Sequence, residues 1–190
     1  MGIRFLATAA ITSLALNAIF SILTPTMAAA QTLAQHTALA SDSNFIQAAM
    51  SVGLLQAQLG KMAQEQGTSE VVRDYAKRTV ADYAKVNEQL ATAARSAAYP
   101  HPVLLRPHQK IVDRFNYMGK SHFDKEYMAE TVRQHDEAVR LFETEAKSGR
   151  VASLKQLAVS LLPDLQQDQA LAQKAAGAVG AAEVTTSASR

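Results

Sequence analysis

The sequence predicts an all-α protein, a four-helix bundle with one long crossover that carries a short extra helix. Three observations lead there. The 190 residues contain no Trp, no Cys and only 8 Gly, with Ala, Leu and Gln abundant, a composition that favours helix over sheet. Four long stretches place apolar residues at steps of three or four, one stripe each, with the charges turned away. Between the second and third of these, Pro100, Pro102 and Pro107 break the helical rhythm. The length suits a single domain with a substantial core.

Residues 1–30 read as a secretory signal. Arg4 is their sole charge, Phe5 to Thr24 is almost wholly apolar, and Ala28-Ala29-Ala30 supplies the small residues a signal peptidase needs before Gln31. The alternative is a retained anchor, since a transmembrane helix needs ~20 apolar residues. Export to the periplasm is the expected location, with outer-membrane association as a variant of it. The lack of Cys excludes lipid attachment and disulfides, so the exported domain must rest on its packed core.

Residues 31–43 form a polar lead-in, expected to be flexible. Helix one is expected from about Asn44 to Gln66, capped by Asp42 or Ser43, with Phe45, Ala49, Val52, Gln56, Leu59 and Ala63 on its stripe. Helix two follows after Gly67, with Thr68 as cap and Val72, Ala76, Thr79, Tyr83, Val86 and Leu90 facing inward. So short a turn makes the pair antiparallel neighbours. The connection at 98–121 carries a short helix from about Pro107 to Tyr117, opened by a proline in a permitted first-turn place. Extended chain reaches ~3.3 Å per residue against ~1.5 Å in a helix, so the connection can return along the whole bundle.

The third long helix, about 123–147, carries Phe123, Tyr127, Thr131, His135, Val139, Phe142 and Ala146 on one stripe, with Ser121 and Asp124 as a capping signature and Gly149 as a stop. The last helix, about Val151 to Ala178, shows Leu154, Leu157, Leu161, Leu165 and Asp168, with Pro163 inside it. The domain therefore spans 44–178, and 179–190 reads as a disordered tail.

Each long helix thus puts one polar or polar-tipped residue on its core stripe: Gln56, Tyr83, His135 and Asp168. A buried polar group without a partner costs about 1–3 kcal/mol, so these four should meet one another or a bound ion. Two readings follow. One is a transition-metal site with His135 and Asp168 as ligands and Gln56 and Tyr83 supporting them; the other is a hydrogen-bonded layer that fixes register. A di-iron carboxylate site would need Glu-x-x-His pairs, which neither the Tyr83 nor the His135 helix supplies.

Other chemistry is sparse. His101, His108 and His122 lie in or beside the connection, share no ligand spacing and are expected to be solvated. Ser51 and Ser160 sit on helices with no evident base near them, and no nucleophile elbow or phosphate loop occurs. A formal net charge of +2, without a Lys/Arg cluster, gives no case for nucleic acid. An envelope protein is the expected class of partner, and the membrane is engaged only if residues 5–24 are retained.

The stretches FIQAAMSVGLLQAQLGKMAQEQG, VVRDYAKRTVADYAKVNEQL, FDKEYMAETVRQHDEAVRLFE and LKQLAVSLLPDLQQDQALAQ together resemble a family of exported bacterial proteins, domain of unknown function 4142, often labelled outer membrane proteins. The resemblance covers about Asn44 to Ala176 and implies a ferritin-like bundle with a single crossover. It also implies Glu in helix one and His in the other three long helices, at the places held here by Gln56, Tyr83, His135 and Asp168. His135 alone matches, so the chain resembles a diverged member.

Overall fold

The computed structural model describes residues 24–101 and 103–181. Among them the chain is all-helical, with α1 (Thr24–Gln66), α2 (Glu70–Ser96), α3 (Arg106–Asn116), α4 (Lys120–Ser148) and α5 (Ala152–Ala178) forming a helical bundle. The bundle's compact unit begins at Ala38, and the earlier part of α1 belongs to a separate unit. The expected signal segment up to position 23, and the tail from 182 on, lie outside the described residues. None of the described helices is long and apolar enough to cross a membrane.

The four long helices and the short one fall where the apolar stripes put them, with one correction at the start. α1 begins at Thr24 rather than near Asn44, so helix runs through the expected lead-in. The reason is that Asp42 does not cap its own helix. Its carboxylate instead accepts from the backbone N–H of Val151 at 2.6 Å and of Arg150 at 3.2 Å, at the start of α5. The same correction applies at Asp124, which was expected to serve the start of α4 with Ser121. It accepts from the N–H of Ser69 at 2.7 Å and of Thr68 at 3.1 Å, and from the Thr68 hydroxyl at 2.6 Å, at the start of α2. Neither α2 nor α5 has a side-chain cap of its own, so a carboxylate from a helix of the other hairpin satisfies their first donors.

Asp42 with Asp124, Thr68 with Arg150 and Ser69 with Val151 are all separated by one sequence offset. The same offset carries buried Val72, Ala76, Leu90 and Ala94 of α2 onto buried Leu154, Ala158, Ala172 and Ala176 of α5. It also carries the end of α2 onto the end of α5. Tyr99 N–H donates to Ala94 O and Ala98 N–H to Arg95 O, while Ala181 and Gly180 make the matching pair to Ala176 O and Gly177 O. Both are Schellman endings, with Ala98 at φ 55° where α5 has Gly180 at φ 66°. The bundle is thus two similar hairpins, α1–α2 and α4–α5.

The core divides into two apolar clusters along the bundle axis. One gathers Phe45, Ile46, Leu90, Phe142, Leu154 and Leu161 around the Asp42 end. The other gathers Leu55, Leu59, Phe115, Phe123, Tyr127 and Met128 around the Asp124 end. Edge-on ring pairs sit in each, Phe45 on Phe142 at 5.1 Å and Phe115 on Phe123 at 5.6 Å. α5 runs through Pro163, which sits on its exposed face.

Candidate functional site

Between the two apolar clusters lies a layer of buried polar side chains. His135 has no exposed surface, and neither have Gln56 and Thr131. The Nδ1 of His135 lies 2.9 Å from the Thr131 carbonyl one turn earlier, and 3.2 Å from the Gln56 amide on α1. A carbonyl can only accept, so Nδ1 carries the ring proton and the Gln56 amide is best oriented with its oxygen toward it. The Tyr83 ring from α2 meets the His135 ring edge-on, 5.7 Å between centroids. Its hydroxyl is beside the Gln56 amide without reaching hydrogen-bond geometry. Burial drives the Tyr83 pKa well above the phenol range and holds that of His135 below its ordinary value, so both are neutral at pH 7.

Three of the four residues singled out by the stripes therefore meet, from α1, α2 and α4. Asp168 does not join them. Its carboxylate is half-buried between α5 and α2, 3.7 Å from the Arg78 guanidinium, and burial followed by the neighbouring Asp82 charge pushes its pKa up to about 6. The stripe put Asp168 inward because Leu161 and Leu165 precede it at helical spacing, but the α2 face opposite offers Arg78. A carboxylate can find that partner near the surface without full desolvation.

This arrangement does not fit a resident metal. The Nε2 of His135 is a bare lone pair with no partner, which is one good ligand. The nearest other donors are an amide oxygen and a phenol held neutral by burial, and among the described residues no three His, Asp or Glu side chains converge. What the layer can do is fix register: Gln56, Tyr83 and His135 tie three helices at one level.

Two polar contacts were not legible in the sequence. His108, expected in solvent, is buried on α3, and its Nδ1 accepts from the Ser51 hydroxyl at 2.7 Å. Ser51 Oγ in turn accepts from the Leu105 N–H at 2.8 Å. Ser51 thus has a base beside it after all. With no exposed surface, its oxygen is out of reach of any substrate carbonyl, and the pair pins the crossover to the middle of α1. Only the proline-bracketed register of α3 could have hinted at this. The second contact is the Glu130 carboxylate, buried on α4, which receives Arg114 from α3 at 2.6 Å, Arg133, and the Gln134 amide at 2.9 Å. It locks α3 onto α4.

The family model described as Domain of unknown function (DUF4142) matches residues 25–175. The chain belongs to that family. No curated protein and no solved structure matches the chain. The DUF4142 match takes in the whole polar layer and both Asp-capped junctions, so the features described above belong to the domain itself.

Proposed function

We propose that this DUF4142 protein is an exported, non-catalytic helical bundle of ferritin-like, single-crossover type, which acts in the periplasm by binding or as a structural, stress-linked envelope component. One observation carries the non-catalytic part: the polar layer is spent on neutral contacts among Gln56, Tyr83 and His135, with the nearby carboxylates engaged elsewhere, Asp168 by Arg78 and Asp136 by the Gln169 amide. Catalysis by acid–base or metal chemistry needs a charged or titrating group near a reachable cavity, and this layer offers neither. Export is supported by Arg4, the apolar run to Thr24 and the Ala28–Ala30 site. The partner in this reading is another envelope protein, and nucleic acid is disfavoured by the near-neutral charge.

Cell fractionation with intact-mass measurement tests the reading. A periplasmic protein whose chain starts at Gln31 is the expected result. Recovery only with detergent, and with Met1 to Ala30 still attached, would replace it with a membrane-anchored protein.

A further inference from the structure

The two hairpin junctions each have an Asp cap and differ in what is buried beside it. At the α4–α5 junction Glu145, on the last turns of α4, is 5% exposed and its Oε1 has no hydrogen-bond partner. At the same offset the α1–α2 junction has Ala63, fully buried and neutral. Glu145 packs against the turn: a Cβ on Gly149 would collide with its Oε1. Asp42, with no exposed surface, holds the next two residues of that turn by their backbone N–H groups. Two buried carboxyl groups therefore lie against one short turn, where the other junction has a single, only half-buried one, Asp124.

From this we infer that the α4–α5 junction is a pH-sensitive latch, closed while Glu145 keeps its proton and loosened when Glu145 ionises against Asp42. The groups that face Glu145 are few. Asp42 comes from α1, Tyr99 from the chain leaving α2, and Lys155 from α5, whose ammonium donates to the Lys147 carbonyl at 3.1 Å. Tyr99 is neutral, its pKa raised by burial and then by the two acids. Lys155 offsets only part of the repulsion. Burial, followed by the Asp42 charge, lifts the Glu145 pKa to about 7, so the latch works across neutral pH.

The sign follows from linkage. An acid whose pKa is raised by folding stabilises the folded junction below its unfolded value of 4.5, and that contribution is lost as pH rises through about 7. When Glu145 loses its proton, Asp42 still accepts from Arg150 and Val151, but with a second negative charge beside it. The first turn of α5 should then open more often. The α1–α2 junction, with Ala63 in that place, is an internal control.

The test is amide hydrogen exchange by NMR, as protection factors, on the full mature chain at about pH 6 and about pH 8. Protection at Arg150 and Val151 should fall by about tenfold between the two, while Thr68 and Ser69 change little. In Glu145→Gln and Glu145→Ala the fall should vanish, the second variant copying the other junction. Parallel changes at both junctions in the native chain, or a fall that persists in both variants, would overturn the latch. A carbon-13 titration of the Glu145 carboxyl gives an independent check. A midpoint near 7 supports the latch, and one near the unfolded value contradicts it even if a variant folds poorly.

Discussion

In the first hairpin α1 meets α2 across Gly53 and Gly60; at the same offset in the second hairpin α4 presents His135 and Phe142. A Cβ on Gly60 would sit 2.7 Å from Val80 Cγ2 and 3.3 Å from the Ala76 carbonyl, so α2 closes directly onto the α1 backbone. Phe142 instead reaches across the core to Phe45 of the first hairpin. One hairpin closes on itself at these two glycines, while the other carries at the same two positions side chains that reach across to the first. The room at Gly53 is taken by the Asn87 side chain of α2, whereas His135, at the same offset on α4, reaches Gln56 and Tyr83 of the first hairpin. Similar frames thus differ at these positions: close backbone approach in the first hairpin, and a ring and an imidazole that cross to the other hairpin in the second.

The largest test of that division is Phe142→Ala. Loss of a fully packed ring shared between hairpins should cost about 3–5 kcal/mol in urea unfolding, and Leu161→Ala about 2–5 kcal/mol. A native-like unfolding midpoint in both would mean that the second hairpin does not fill the core. Gly60→Ala should cost less, about 1–3 kcal/mol, by forcing α2 away from α1. If it proved neutral, the first hairpin would not be the closely packed one.

The pH dependence comes next and separates the hairpins by charge. Glu145, raised to about 7, removes stability as pH climbs from 4.5 toward 8, and Asp168, raised to about 6, does so at lower pH. His135 and His108 act in the opposite sense. Burial lowers both, so stability rises with pH as the unfolded imidazoles titrate around 6.5 and levels off about a unit above it. The two imidazoles and Glu145 therefore oppose one another between about pH 6 and 8, so Tm of the native chain should fall relative to that of Glu145→Ala across this range. A difference between native chain and variant that does not change with pH would remove Glu145 as the distinguishing group.

The smallest effect is at the C-terminal endings. Ala98 holds a left-handed conformation that costs a residue with Cβ about 1–2 kcal/mol, and its counterpart is Gly180. Replacing Ala98 by Gly should give a net stabilisation of about 0.5–1 kcal/mol after the extra backbone entropy of glycine. Destabilisation would show that the two endings are not equivalent.

The helices were legible because each carries a continuous apolar stripe, and periodicity reports which face is covered. The Asp caps were not. Asp42 and Asp124 look like ordinary local caps in sequence, and only the packing of one hairpin on the other reveals that they serve α5 and α2. Gln56, Tyr83 and His135 were readable as polar residues on core faces. Asp168 obeyed the same spacing yet lies aside, since Arg78 on the neighbouring helix decides its position and no pattern within α5 encodes that. Glu145 was passed over in favour of Ala146, because adjacent positions share a helix edge and neighbouring α1 determines which of them is buried.

The most direct measurement on the central claim, a polar layer that joins helices rather than holding an ion, is elemental analysis. The mature protein would be purified from the periplasm without chelators or a metal-binding tag, beside His135→Ala. The expected result is transition metal far below one equivalent per chain and unchanged by the substitution. Near one equivalent, lost in His135→Ala, would contradict the account and make His135 the anchor of a metal centre.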